Sequence, residues 1–193
     1  YLVVALGSVV NYYGIPGLEE YASPLKTLLD GLAMNCHLDM HFHNLWKTDV
    51  KKEVHIIVGG GGATGVEFAS ELPGCIHKLC KKYHYPQEKV RVSLIEGSEE
   101  LTGQGEKVTK AILKRFQKLR IDVRLNTLIK KVDETGLHIE TSTKEKKILP
   151  VDLLIWAGGV KPNPIIRESF QAISKNGALT VNENLQNAHC SYI

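Results

Sequence analysis

No apolar run in the chain approaches the roughly 18 to 20 residues a helix needs to cross a bilayer, and no charged start leading into an apolar stretch marks a signal peptide. Its four cysteines, Cys36, Cys75, Cys80 and Cys190, form no C-x-x-C pair and are too sparse for a small secreted disulfide scaffold. A reducing, cytoplasmic setting is expected. Cys75 and Cys80 are five steps apart; on a helix that separation turns about 140°, so they read as two free thiols. Basic residues are not clustered: 24 Lys and Arg against 21 Asp and Glu leave a formal charge of +3 spread along the chain, which argues against nucleic acid as a partner. Internal repeats and low-complexity tracts are also missing. With 193 residues and 43% hydrophobic content, the chain can bury one full core with room for an appended subdomain. It starts without Met and stops at an apolar turn of sequence, and it reads as a piece of a longer protein.

What the chain has in abundance is glycine at one place. Residues 53–71 read EVHIIVGGGGATGVEFASE. A short, mostly apolar run enters four glycines and leaves in a helical pattern, with Gly60, Gly62 and Gly65 at G-x-G-x-x-G spacing. The first glycine permits a tight turn, the second lets backbone approach a pyrophosphate, and the third lets the helix pack on its strand. Free N–H groups and the positive end of the helix dipole then face the phosphates. Residues 90–95 alternate as a second strand and end in Glu96. A carboxylate there accepts hydrogen bonds from adenosine ribose hydroxyls and repels the extra phosphate of NADP, so NAD is preferred. The stretch from Gly65 to Glu96 exceeds the usual spacing of about 20 residues, an excess that a long helix and the loop at Pro86 absorb. The same glycine turn and acid also suit S-adenosylmethionine.

Around this centre the spacing predicts an α/β fold: a Rossmann-like parallel sheet with helices on both faces and an antiparallel meander. Residues 1–7 read as a buried strand. Ser23 and Pro24 suit the cap and first position of a helix, with Leu25, Leu28, Leu29, Leu32, Cys36 and Met40 on its inward face. The helix after the glycine turn contains Pro73, where a kink is expected. Residues 106–119 form an amphipathic helix with Val108, Ile112, Phe116 and Leu119 inward and Lys107, Lys110, Lys114 and Lys118 outward. Residues 121–125, 128–132 and 137–141 read as the meander. Residues 151–156 are a last buried strand closing in Ala157, Gly158 and Gly159, and residues 178–185 one more strand. His37, His41 and His43 lie close in sequence, and two of them share a helix face; a third metal ligand at a fitting position is not apparent, so no metal is assigned.

The motif residues 57–67 (IVGGGGATGVE), 94–96 (LIE) and 154–160 (LIWAGGV) resemble the pyridine nucleotide-disulfide oxidoreductases, and among them the type II NADH dehydrogenases. The opening Ala5-Leu6-Gly7-Ser8 is similar to the strand by which such chains leave a flavin domain. The resemblance implies three segments: 1–51 from an FAD domain with a linker helix, 52–160 the NAD(H)-binding domain, and 161–193 a return towards the FAD domain. It implies an enzyme that passes hydride from NADH to FAD and electrons to quinone. Gly60, Gly61, Gly62, Ala63, Thr64 and Gly65 would hold the pyrophosphate, Glu96 the adenosine ribose, and Gly158 and Gly159 the opposite side of the dinucleotide. Glu67 would stand near the nicotinamide and flavin as the one candidate catalytic residue; its plainer role is to stabilise the helix N-terminus.

The chain departs from that pattern in having no earlier G-x-G-x-x-G for FAD, no later Gly-Asp flavin contact and no segment for quinone or membrane. FAD is therefore expected in the parent and not on this piece, which is expected to bind NADH without turnover. The parent would sit peripherally on the inner face of the cell membrane, with room for a homodimer. The NAD domain of a disulfide, coenzyme A-disulfide, rubredoxin or peroxide reductase, and a non-catalytic NAD-sensing module, are the alternative readings.

Overall fold

The computed structural model describes residues 1–49, 51–170, 173–187, 189–190 and 192. In chain order the elements are β1 (Ser8–Val10), α1 (Leu18–Tyr21), β2 (Ala22–Pro24), α2 (Leu28–Lys47), β3 (Val54–Gly59) and α3 (Ala63–Lys82). Next come β4 (Val90–Ile95), α4 (Glu106–Leu119), β5 (Ile121–Arg124), β6 (Thr127–Asp133) and β7 (Gly136–Thr141). β8 (Lys146–Leu149), β9 (Leu153–Trp156), β10 (Val160–Pro162) and α5 (Pro164–Ser169) complete the order. The chain divides into two compact units, Tyr12–Gly158 and a smaller one of residues 1–11 and 159–193. β2 and α2, which precede the expected boundary at residue 52, belong to the larger unit.

The larger unit is built on a five-stranded sheet in the order β2-β9-β3-β4-β5, parallel throughout. Both faces are covered, which is why β3 reads as a continuous apolar run. Val54, Ile56 and Val58 join one core with Met34, Leu38 and Phe42 of α2, Ala69, Leu72 and Ile76 of α3, and Phe116 of α4. The alternate residues Ile57, Ile95 and Trp156 are also buried. Their side is covered by the antiparallel sheet β6-β7-β8, whose Ile129, Val132, Leu137 and Ile139 are buried. The one-turn α1 joins that layer, next to the Val132 N–H bonded to the Pro16 carbonyl at 2.9 Å. The expected parallel sheet with two covering layers is present, and its second layer is the meander with α1 in place of a full row of helices.

Five local readings are corrected. Ser23 and Pro24 do not cap α2; they form edge strand β2, where proline's missing N–H faces no partner strand. α2 starts four residues later on a capping box, with the Asp30 N–H donating to Thr27 Oγ1 at 3.1 Å and the Thr27 N–H donating to Asp30 Oδ2 at 2.7 Å. Its inward face is Met34, Leu38, Phe42 and Leu45, whereas Leu28 and Leu29 are 81% and 74% exposed and Cys36 and Met40 are exposed as well. Cys36 and Met34 differ by two residues, about 200° around a helix, so the two stripes face opposite ways.

Residues 121–124 join the parallel sheet beside β4; the third meander strand is β8, whose Lys146-Lys147 start hid it. Residues 178–185 hold turns and isolated bridges, Ile173 to Leu179 and Val181 to Asn187. Residues 1–7 form no strand among the described residues; the Leu2 N–H donates to the Tyr192 carbonyl at 2.8 Å and the Gly7 carbonyl accepts the Asn163 N–H at 3.4 Å, and an apolar run without a ladder partner does not make a strand. β1 instead pairs antiparallel with β10 in the smaller unit. α3 runs as one helix from Ala63 to Lys82 with Pro73 inside it.

Candidate functional site

Three residues turn the chain from β3 into α3. Gly60 has φ +107°, and a Cβ on it would lie 2.5 Å from Gly158 Cα and 2.6 Å from the Ala157 carbonyl oxygen. Its N–H donates to the Ile95 carbonyl at 2.8 Å. Gly65 lies against this turn, for a Cβ there would stand 1.9 Å from the Gly60 carbonyl oxygen. Gly61 is buried, with Leu101 and Glu96 carbons at 2.6 and 2.9 Å from its would-be Cβ. Gly62 is different. It sits at φ −66° and ψ 178°, a conformation open to any residue, and a Cβ would meet nothing within 4 Å. It is the N-cap of α3 and supplies no side-chain cap to the helix N–H groups, while Ala63 and Thr64 beside it are exposed. The chain's own packing explains glycine at 60, 61 and 65, whereas residue 62 is open on the side where a side chain would stand.

Glu96 follows β4 directly and reaches the same turn. Its Oε2 accepts the Gly61 N–H at 2.5 Å and its Oε1 the Ser98 N–H at 2.8 Å. Each oxygen keeps a second lone pair, and the residue is half-buried. Thr102, which the sequence did not single out, ties the following loop to the glycines through its N–H to the Gly61 carbonyl at 2.8 Å. Its Oγ1 is buried with no partner among the described residues, an orphaned hydroxyl beside the turn.

On the other side of β3, the Gly158 carbonyl accepts the Tyr13 hydroxyl at 3.2 Å. Gly159 opens the smaller unit, with φ +128° and its carbonyl bonded to the Asn11 N–H at 3.1 Å. Gly60, Gly61, Gly65, Glu96 and Gly158 thus converge at the carboxyl ends of neighbouring strands. Glu67 stands exposed on the second turn of α3, its side chain without a hydrogen bond or ion pair to another described residue.

The other candidates are elsewhere. His37 Nδ1 is 3.3 Å from Ser23 Oγ, and the His43 ring packs 5.8 Å from those of Tyr83 and Trp46. Among the described residues no three His, Cys, Asp or Glu side chains group as metal ligands. Cys75 and Cys80 are free; burial pushes the Cys80 thiol up to about 11, so it stays protonated and unreactive near neutral pH.

His41 gives a stability test. Its Nε2 is buried without a partner among the described residues, and burial holds its imidazole below the ordinary histidine value. The folded state therefore favours neutral His41, a contribution present above the unfolded value of about 6.5 and lost as the pH falls below it. Asp152 acts in the same direction at lower pH. Burial opposes its ionisation, but Lys52 and the His55 N–H, at 2.8 Å, hold its carboxyl below the usual range. The thermal midpoint should fall between about pH 7 and pH 5.5, and His41→Gln should flatten that fall. An unchanged slope in the variant would remove His41 from the explanation.

A parallel sheet with a glycine turn at a helix start and an acid after the next strand defines a dinucleotide-fold protein. The family model described as pyridine nucleotide-disulphide oxidoreductase matches residues 1–191, and the chain belongs to that family. It is 29% identical over 187 residues to a type II NADH:quinone oxidoreductase of Staphylococcus saprophyticus, a match covering 95% of this chain and 46% of that protein. It is 30% identical over 202 residues to the mitochondrial external alternative NAD(P)H-ubiquinone oxidoreductase B3 of Arabidopsis thaliana, covering 100% of this chain and 35% of the relative. The structure of NDH2 from Plasmodium falciparum in complex with NADH superposes with a TM-score of 0.80 at 28% identity, over 93% of this chain and 37% of that one. The chain spans less than half the length of these relatives.

Proposed function

We propose that this chain is the NADH-binding domain of an FAD-dependent NADH:quinone oxidoreductase. The observation that carries the proposal is Gly62: an unobstructed glycine at an uncapped helix N-terminus, one residue from the Gly61 N–H that Glu96 holds. The N–H groups of Ala63, Thr64 and Gly65 would bind the pyrophosphate with the helix dipole behind them. Glu96 would accept the adenosine ribose hydroxyls with its free lone pairs. Its charge would disfavour a 2′-phosphate, so NADH is preferred over NADPH. Gly158 would line the opposite side of the dinucleotide through its backbone, the place of its absent side chain being filled by the Trp156 ring. Glu67 would orient the nicotinamide carboxamide. In the whole protein these residues would hold NADH as a hydride donor to FAD, whose electrons would pass on to quinone.

FAD, quinone, any homodimer contact and attachment to the inner face of the cell membrane belong in this proposal to the whole protein. None of the described helices is long and apolar enough to cross a membrane. Calorimetric titration of the chain with NADH, NAD, NADPH and S-adenosylmethionine tests the reading. NADH should bind with one site and NADPH more weakly. The NADPH arm matters because the plant relative's name includes both nucleotides. Binding of S-adenosylmethionine in place of NADH, or no binding of any of the four, would overturn it.

A further inference from the structure

We propose that Tyr13 is the contact for the nicotinamide half of the dinucleotide, an inference that rests on the NADH-binding reading above. The sheet order sets its direction. β3 lies between β4 and β9, with Gly59 paired to Ile95 on one side and to Trp156 on the other. A dinucleotide with its pyrophosphate at the start of α3 and its adenosine over Glu96 must send its other half across the turn towards the end of β9. At that end Gly158 touches Gly60, 2.5 Å from its would-be Cβ.

The Trp156 ring packs on Gly158, 2.2 Å from where a Cβ there would stand, and Tyr13 is tied to the same glycine. Its hydroxyl donates to the Gly158 carbonyl at 3.2 Å, and its ring meets Trp156 edge-on, 6.4 Å between centroids at 80°. Tyr13 is 61% exposed. It presents a flat aromatic surface fixed at its tip, on the opposite side of the glycine turn from Glu96. A planar, aromatic nicotinamide matches it in shape and chemistry. If Tyr13 instead served only to brace Gly158, its loss would disturb the whole turn and weaken every ligand alike.

The test compares NADH with ADP-ribose, which carries the adenosine and pyrophosphate but no nicotinamide, by calorimetry on the full chain. Tyr13→Ala should weaken NADH about tenfold and leave ADP-ribose within about twofold. Tyr13→Phe keeps the ring and should retain most of the NADH affinity. Equal losses for both ligands in Tyr13→Ala, or no loss for either, would overturn the assignment while leaving NADH binding by the domain intact. A wild-type chain that binds neither ligand would overturn the NADH-binding reading and this inference with it.

Discussion

Gly65→Ala should unfold the larger unit more readily, whereas Gly62→Ala should leave it folded and abolish most of its NADH binding. The two glycines belong to one motif and do opposite work. A methyl at residue 65 would be driven to 1.9 Å from the Gly60 carbonyl oxygen, a backbone atom in a turn already fixed by Gly60 at φ +107°. Relieving that overlap means moving α3 off its strand, a cost of about 2–3 kcal/mol, or about 5–10 °C in thermal midpoint.

At residue 62 the methyl enters open space in an ordinary backbone conformation. Alanine is a poorer N-cap than glycine, but it also restricts the unfolded chain. These effects oppose each other, and the net change in stability should stay within about 0.5 kcal/mol. Binding is another matter: the methyl occupies the approach to the uncapped N–H groups of α3. The charge-assisted bonds lost there correspond to a fall of about tenfold to a hundredfold in NADH affinity. Equal stability losses at the two positions would contradict the structural distinction, and full NADH affinity in Gly62→Ala would contradict the site.

Glu96→Ala should weaken NADH by about 1–3 kcal/mol and shift the preference between the two nucleotides towards NADPH. Both effects follow from one carboxylate in two positions of leverage. Its oxygens accept the Gly61 and Ser98 N–H groups, so its removal loosens the turn and strips the ribose hydroxyls of their acceptor. The same removal eliminates the charge that opposes a 2′-phosphate. Glu96→Gln separates these contributions: it keeps one carbonyl oxygen as acceptor and should retain part of the NADH affinity, while the loss of charge should raise relative NADPH affinity as in the alanine variant. Parallel titrations of the two variants with both nucleotides give the comparison. Unaltered NADH affinity in Glu96→Ala would refute the ribose role.

Where a single local rule dominates, the chain could be read directly. β4 at Val90–Ile95 and α4 at Glu106–Leu119 appear with the expected limits, because apolar spacing and flanking turns agree there. The glycine turn is likewise legible, since each glycine answers to a distinct geometric demand. α2 is ambiguous in sequence because it carries two apolar stripes. Thr27 and Asp30 fix where the helix begins, and burial then falls to Phe42 and Leu45 at its far end, leaving the leucine-rich start outside. That choice depends on the sheet, which helical periodicity does not contain.

β8 was hidden because Lys146, Lys147 and Ile148 are exposed, and only pairing with β7 defines the strand. Thr102 and Tyr13 had no signal of their own. Each became visible through a partner distant in sequence, Gly61 for one and Gly158 for the other.

The most direct measurement is calorimetric titration of NADH into the wild-type chain and into Gly62→Ala, with the thermal midpoint of each recorded in the same buffer. Saturable one-to-one binding by the wild type, weakened at least about tenfold in a variant of equal thermal stability, is the expected result. Absence of NADH binding by the wild type, or equal affinity in the two proteins, would contradict a dinucleotide site at the start of α3.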